Sequence, residues 1–272
     1  MSRVLVADHA LASRLERAEA SANARFVETR ARLAPESGAA WIEVEGAYAM
    51  YDGPRSPCTQ TFGLGLFEIP TTAGMDTLEE FFAERGAPVF HEVSPLADKS
   101  LLFMFHDRGY QPFEFTSVMF LDLSAPLASS GLHDGRVRAR IARAEESGLW
   151  AETAAEGWRE LTEIISEPAA DLLRAAAATE GAVPFLAELD GTPVAAAYLA
   201  TGDGVALLAG ASTIPEWRNR GAQRALLDTR LRFAAAAGCD LAMVCAEPGS
   251  ASQRNAERHG FRIAYTRIKW RR

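Results

Sequence analysis

Three arginines crowd the stretch Arg218-Asn219-Arg220-Gly221-Ala222-Gln223-Arg224, and a helical apolar periodicity begins directly after Gly221. Such a stretch suits a phosphorylated ligand. The free backbone N–H groups at a helix N-terminus converge on one point and carry a favourable dipole, so they hold a diphosphate without any special side chain. Gly221 removes the Cβ that would keep phosphate oxygens off the backbone, while Arg218, Arg220 and Arg224 surround the point with positive charge. The Gly-Lys-Ser/Thr ending of a nucleotide-binding P-loop is missing here, which excludes that class.

A loop of this kind needs a strand to deliver it and a helix to continue from it. Val205–Thr213 is a long apolar run of strand type, and Pro215 and Glu216 turn the chain out of it. Leu226, Leu227, Leu231 and Ala234 then share one helical face, with Gly238 at the position of a C-cap. Further on, Leu241–Ala246 reads as a buried strand, Ser250–His259 as a helix ended by Gly260, and Phe261–Trp270 as a last strand. Before the loop, Val183–Leu189 and Val194–Ala200 flank Asp190-Gly191-Thr192 as a hairpin. Val137–Ala142 reads as a strand, and Ser147–Trp158 and Ala169–Ala178 as helical.

The first half has mixed α+β order. An amphipathic helix over Leu11–Leu33 precedes a hairpin of Ala40–Val44 and Ala47–Tyr51, then a strand at Phe62–Phe67, a helix at Asp76–Arg85, a strand at Pro88–Val93, a helix at Lys99–Asp107 and a strand at Phe113–Leu123. Ser124–Gly135, rich in Ser, Ala, Gly and Pro, has linker character. The expected organisation is therefore 1–125, a linker at 126–135, and 136–272. The two halves also repeat one order near their ends: strand, turn, helix, Gly-aromatic, strand. Arg108-Gly109-Tyr110 stands in the first half where His259-Gly260-Phe261 stands in the second. Where the second half has its arginine loop, the first has Pro70-Thr71-Thr72-Ala73-Gly74-Met75, without a basic residue.

A chain of 272 residues with 48% apolar and 24% charged residues can bury two cores. The formal net charge of -8 repels nucleic acid, so no nucleic acid partner is expected. No apolar run approaches the roughly 20 residues of a membrane helix, and the first residues do not resemble a secretory signal, so a cytoplasmic protein away from membranes is expected. Cys58, Cys239 and Cys245 have neither metal-ligand spacing nor an even count, and no metal is expected.

Ile214–Gln223 resembles the acyl-CoA signature of the GNAT-type N-acetyltransferases, written Arg/Gln-x-x-Gly-x-Gly/Ala: Arg218 and Gly221 match, and Gln223 departs from the last position. The resemblance covers 137–270 and implies an α/β fold of two GNAT-like domains, each a mixed, mostly antiparallel sheet flanked by helices, with the first half a degenerate copy. It implies acetyl-CoA as cosubstrate and an amine acceptor. The amides of Arg218, Asn219, Arg220, Gly221, Ala222, Gln223 and Arg224 would then hold the pyrophosphate, Ser212 and Thr213 would lie beside the pantetheine arm, and the helix carrying Ser252 and Asn255 would flank the thioester. Many family members place a tyrosine acid four residues before the Gly-Phe pair, where this chain has Ala256. Ser252, Asn255 or Tyr265 could supply that hydrogen bond instead, and Glu247 or Glu188 could serve as base.

Overall fold

The first helix, α1 (His9–Leu33), starts where the carboxylate of Asp8 accepts the Leu11 N–H at 2.9 Å, and it ends before Pro35, which cannot continue it. The structure is a computed structural model that describes residues 6–125, 136–160 and 169–272. The expected linker, 126–135, lies outside the described residues. The chain packs as two units, 1–120 with 245–272, and 121–244.

In the first unit, β1 (Ala40–Val44) and β2 (Ala47–Tyr51) form the expected hairpin, turning on Glu45 and Gly46, both at positive φ. β3 (Gln60–Phe62) pairs antiparallel with β2 and parallel with β4 (Phe90–Val93), with α2 (Thr72–Ala83) crossing between them. α3 (Ser100–Arg108) and β5 (Gln111–Asp122) follow. Alternation along β2 divides the packing. Ala47 and Ala49 join Leu78, Phe82, Leu101 and Phe105 in the α2/α3 layer, while Met50 joins Ala20, Ala24 and Val27 of α1 on the other face.

The strand expected at Phe62–Phe67 does not form: β3 lies before it and shares only Phe62 with it. Gly63 and Gly65 take positive φ, and the chain folds into turns that bury Leu64 and Leu66 rather than extending as a strand.

The last helix and strand, α7 (Ala251–Arg258) and β11 (Arg262–Arg271), group with this first unit. β11 lies between β4 and β5 and is antiparallel to both, with Ile268 opposite Val93 on one side and Phe115 on the other. Pairings this distant in sequence leave no local mark.

In the second unit, β6 (Val137–Ile141), β7 (Ala182–Leu189), β8 (Thr192–Gly202) and β9 (Val205–Thr213) form an antiparallel meander. α6 (Ala222–Ala236) then carries the chain to β10 (Leu241–Ala246), parallel to β9. β8 reads Val194-Ala195-Ala196-Ala197, all buried, as a strand covered on both faces does. α6 and α4 (Ser147–Gly157) both pack on β7, β8 and β9, and α5 (Ala169–Ala177) packs on α4.

Candidate functional site

Two irregularities in the second unit fall on β9. Its register with β8 slips by one residue between the pairs Ala196–Ser212 and Tyr198–Ala209, so Gly210 and Ala211 together stand opposite Ala197. This is a β-bulge, and Gly210 adopts φ +61 within it. A Cβ on Gly210 would meet the Tyr198 ring at 2.5 Å, so glycine is required both for conformation and for room. On its other edge β9 pairs with β10 only from Val205 to Leu207, against Leu241 to Met243. Beyond Leu207 that edge is released, and the released stretch leads to the arginine loop.

The loop leaves β9 through a single 3-10 turn, Pro215–Trp217, and α6 begins at Ala222. Gly221 is the N-cap at φ +87, no side chain caps the helix, and a Cβ there would meet nothing within 4 Å. The helix N-terminus is therefore uncapped by side chains and sterically open, as an anion site requires. Asn219 also takes positive φ. Arg218, Asn219, Arg220, Gly221 and Arg224 are exposed, Gln223 is half-buried and Ala222 is buried.

Arg218 is engaged: its Nη1 donates to Glu160 at 2.8 Å and its Nε to the Thr213 carbonyl at 3.3 Å. Arg159 pairs with Glu156 and Glu216, and its hydrogen bond holds the Glu216 carboxyl below its ordinary range. Arg220 lies over the Trp217 ring, 5.1 Å from its centroid. An incoming phosphate would exchange with these carboxylates.

Ser212 and Thr213 are buried. The Ser212 hydroxyl donates to the Ala154 carbonyl of α4 at 3.0 Å, and the Thr213 hydroxyl accepts from the Gln223 side chain at 2.8 Å. The Ser212 hydroxyl is thus tied to α4, and the Thr213 hydroxyl and carbonyl are met by Gln223 and Arg218. Gln223, which departs from the family pattern, thus ties the first turn of α6 to the end of β9. Glu188 is bound to Arg140 and is a structural ion-pair partner on β7.

The other catalytic candidates belong to the first unit. Glu247 and Ser252 are exposed and Asn255 is half-buried on α7, its carbonyl 2.7 Å from the His259 ring. Tyr265 is buried, and its hydroxyl donates to Glu16 at 2.8 Å. Burial and the nearby Glu16 push that phenol well above its ordinary range. Around it stands a cluster that sequence spacing does not announce: the guanidinium of Arg267 reaches Glu16 at 3.4 Å, Glu19 at 2.6 Å and Glu92 at 3.6 Å, with the Cys245 Sγ 2.9 Å away. Burial raises the Glu16 carboxyl to about 7, against the opposing pull of Arg267.

In the first unit α2 also begins after a strand and a turn. At the start of α2 the Thr71 N–H donates to Glu45 at 3.0 Å and the Thr71 hydroxyl donates to the other oxygen at 2.5 Å. A Cβ on Gly74 would fall 2.5 Å from that carboxylate. This helix N-terminus already holds an anion, supplied by the chain itself.

Residues 150–261 match the family model described as Acetyltransferase (GNAT) family. The GNAT acetyltransferase family is supported over that stretch. Among solved structures the chain is similar to a GCN5-related N-acetyltransferase from Kribbella flavida, at 18% identity and a TM-score of 0.61, over 91% of this chain and 94% of that one. A tandem GNAT protein from the clavulanic acid biosynthesis pathway gives 14% identity and a TM-score of 0.58, over 83% and 78%. The C-terminal domain of a putative lysylphosphatidylglycerol synthetase from Agrobacterium fabrum gives 14% and 0.55, over 92% of each chain. No curated protein matches the chain in sequence. At these identities the structures speak for the fold, a GNAT-like α/β architecture, and with the family match they support an acyltransferase. Among the described residues no helix is long and apolar enough to cross a membrane, and no group of His, Cys, Asp and Glu could hold a metal ion.

Proposed function

We propose that the chain is an acetyl-CoA-dependent N-acetyltransferase with one cofactor site, formed by the released edge of β9, residues 218–224 and the start of α6. The observation that carries the reading is the combination on β9: a bulged strand freed from β10 past Leu207 that ends at an uncapped helix N-terminus. A pantetheine arm carries amide groups, and a strand edge without a neighbour offers it main-chain partners. The pyrophosphate then takes the amides of 218–224, with Arg218 exchanging Glu160 for phosphate.

In the reaction, the neutral amine of the acceptor attacks the thioester carbonyl. A C–N bond forms, the C–S bond breaks, the amine proton passes to a base and the CoA thiolate takes up a proton. Glu247 is the proposed base, being exposed at the exit of β10, and Asn255 the proposed hydrogen-bond donor on α7. In this proposal the first half is a degenerate copy that binds no CoA, because Glu45 fills the position a phosphate would take.

Isothermal titration with acetyl-CoA tests the reading. One site per chain is expected, with binding abolished in Gly221→Glu, which sets a carboxylate beside the helix N-terminus, and weakened in Arg218→Ala. Absence of binding, or binding unaffected by the two changes together, refutes it. A second reading, acyl-CoA binding without turnover, draws on Ala256 in place of the usual tyrosine and on the commitment of the Tyr265 hydroxyl to Glu16. Binding without release of CoA thiol across a broad amine panel would favour it.

A further inference from the structure

A buried arginine on α6 touches the same bulge from below. Arg230 is 4% exposed, and its hydrogen bonds go to carbonyl oxygens: Nη1 to Tyr198 at 3.2 Å and to Ala209 at 3.4 Å, and Nε to Leu226 of its own helix at 3.3 Å. Tyr198 and Ala209 are the pair at which the register slips. From α4, the indole N–H of Trp150 donates to the carbonyls of Phe185 at 3.1 Å and Ala197 at 3.0 Å, and Ala197 is the residue opposite the bulge.

A bulge disrupts the ladder, and buried carbonyls beside it need donors from elsewhere. Here two side chains provide them. Burying a guanidinium is costly, and burial lowers Arg230 to about 10. It nevertheless remains charged at neutral pH. A cation placed among carbonyls, at such cost, beside the buried Leu226, Leu227 and Leu231, has its effect on the strand it holds.

We propose that Arg230 is the positioning residue of the cofactor groove: by binding the Tyr198 and Ala209 carbonyls it fixes the bulge that directs Ala211–Thr213 along the released edge of β9. This rests on the acetyl-CoA reading of that edge. Loss of the guanidinium removes donors that hold the bulge at Gly210, and the edge beyond it then loses its fixed main-chain pattern.

The test compares Arg230→Met, close in volume and without donors, with Arg230→Lys, which keeps one cationic donor, and with Gly210→Ala, which strains the bulge without touching Arg230. Acetyl-CoA affinity is measured by titration, and amide hydrogen exchange is measured in the ligand-free protein. The Met variant is expected to remain folded, to bind acetyl-CoA at least tenfold more weakly, and to exchange faster at 209–213 while β7 stays protected. The Lys variant should recover part of both, and the Ala variant should resemble Met. Wild-type affinity and wild-type exchange at 209–213 in the Met variant would overturn the proposal, as would equal acceleration throughout β7, β8 and β9. If the Met variant does not fold, the Lys and Ala variants decide by the same two readouts. A wild-type protein that fails to bind acetyl-CoA refutes the cofactor reading instead, and the exchange data still show whether Arg230 holds the bulge.

Discussion

Replacing Glu16 by Gln should flatten the pH dependence of stability between pH 4.5 and about 7. Glu16 is 1% exposed on α1, and its carboxyl is held at about 7 in the folded chain against an ordinary 4.5, chiefly by burial. Glu19 and Glu92 add to the rise, while Arg267 and the hydrogen bond from Tyr265 oppose it. Below pH 4.5 the group is protonated whether the chain is folded or not, so it contributes no slope. As pH rises from 4.5, the unfolded chain releases the proton that the folded chain keeps, and stability falls. Above about 7 both states are ionised, and the accumulated loss is on the order of 3 kcal/mol.

Gln keeps the shape and can still accept from Tyr265, while Arg267 retains Glu19 and Glu92 as partners. Urea unfolding of both proteins from pH 4.5 to 8 measures the effect. The stability of wild type minus that of Glu16→Gln should fall with pH by roughly 3 kcal/mol and level off above about 7. Two parallel curves would refute the reasoning, because Glu16 would then titrate alike in both states.

Two further outcomes follow from single contacts. Glu45→Ala strips the anion from the start of α2 and should cost about 1–2 kcal/mol in thermal or urea unfolding, without creating a second acetyl-CoA site in titration. Gly157→Ala sets a Cβ against the Ser212 Oγ and should cost about 1–3 kcal/mol, of which Ser212→Gly recovers a substantial part; a double-mutant cycle measures the coupling, and independent effects would contradict the contact.

Local structure was legible where its cause is local. The Glu45-Gly46 and Asp190-Gly191 turns, the strand Val205–Thr213 and the start of α6 at Ala222 fall where turn residues and apolar period place them. What went unread depends on partners far away in the chain. β11 sits between β4 and β5 because its register fits both edges, and no feature of 262–271 names those neighbours. The bulge at Gly210–Ala211 inserts one residue into an apolar run whose alternation is too weak to register it, since β9 is buried on both faces over much of its length. Arg230 did leave a trace. Two charged residues, Asp228 and Arg230, stand between Leu227 and Leu231 on α6, and both are buried; such breaks in an apolar run mark buried polar contacts.

The starts of α2 and α6 differ in what meets their free amides. α2 and α6 each follow a strand, cross to a parallel strand and begin after a turn, so each presents free amides and a positive dipole end. At α2 the amides are met by Thr71 as cap and by Glu45, a residue already forced to positive φ by its hairpin, and the arginine at this end, Arg108, is taken up by the Thr72 carbonyl and by Asp76 and Glu79. At α6 the cap is Gly221, which brings no side chain, and arginines flank it at 218, 220 and 224. An external dianion would have to displace a tethered carboxylate at α2, whose effective concentration is high because the hairpin holds it in place. At the loop before α6 Glu160 is exposed and, among the described residues, is held by the Arg218 side chain, so exchange costs little. The tethered carboxylate is therefore expected to keep an external anion off α2, and a chain carrying Glu45→Ala with Thr72→Arg should begin to protect α2 from amide exchange in millimolar inorganic pyrophosphate, whereas wild type should not; equal protection in both, or in neither, would show that the tethered carboxylate does not set the difference.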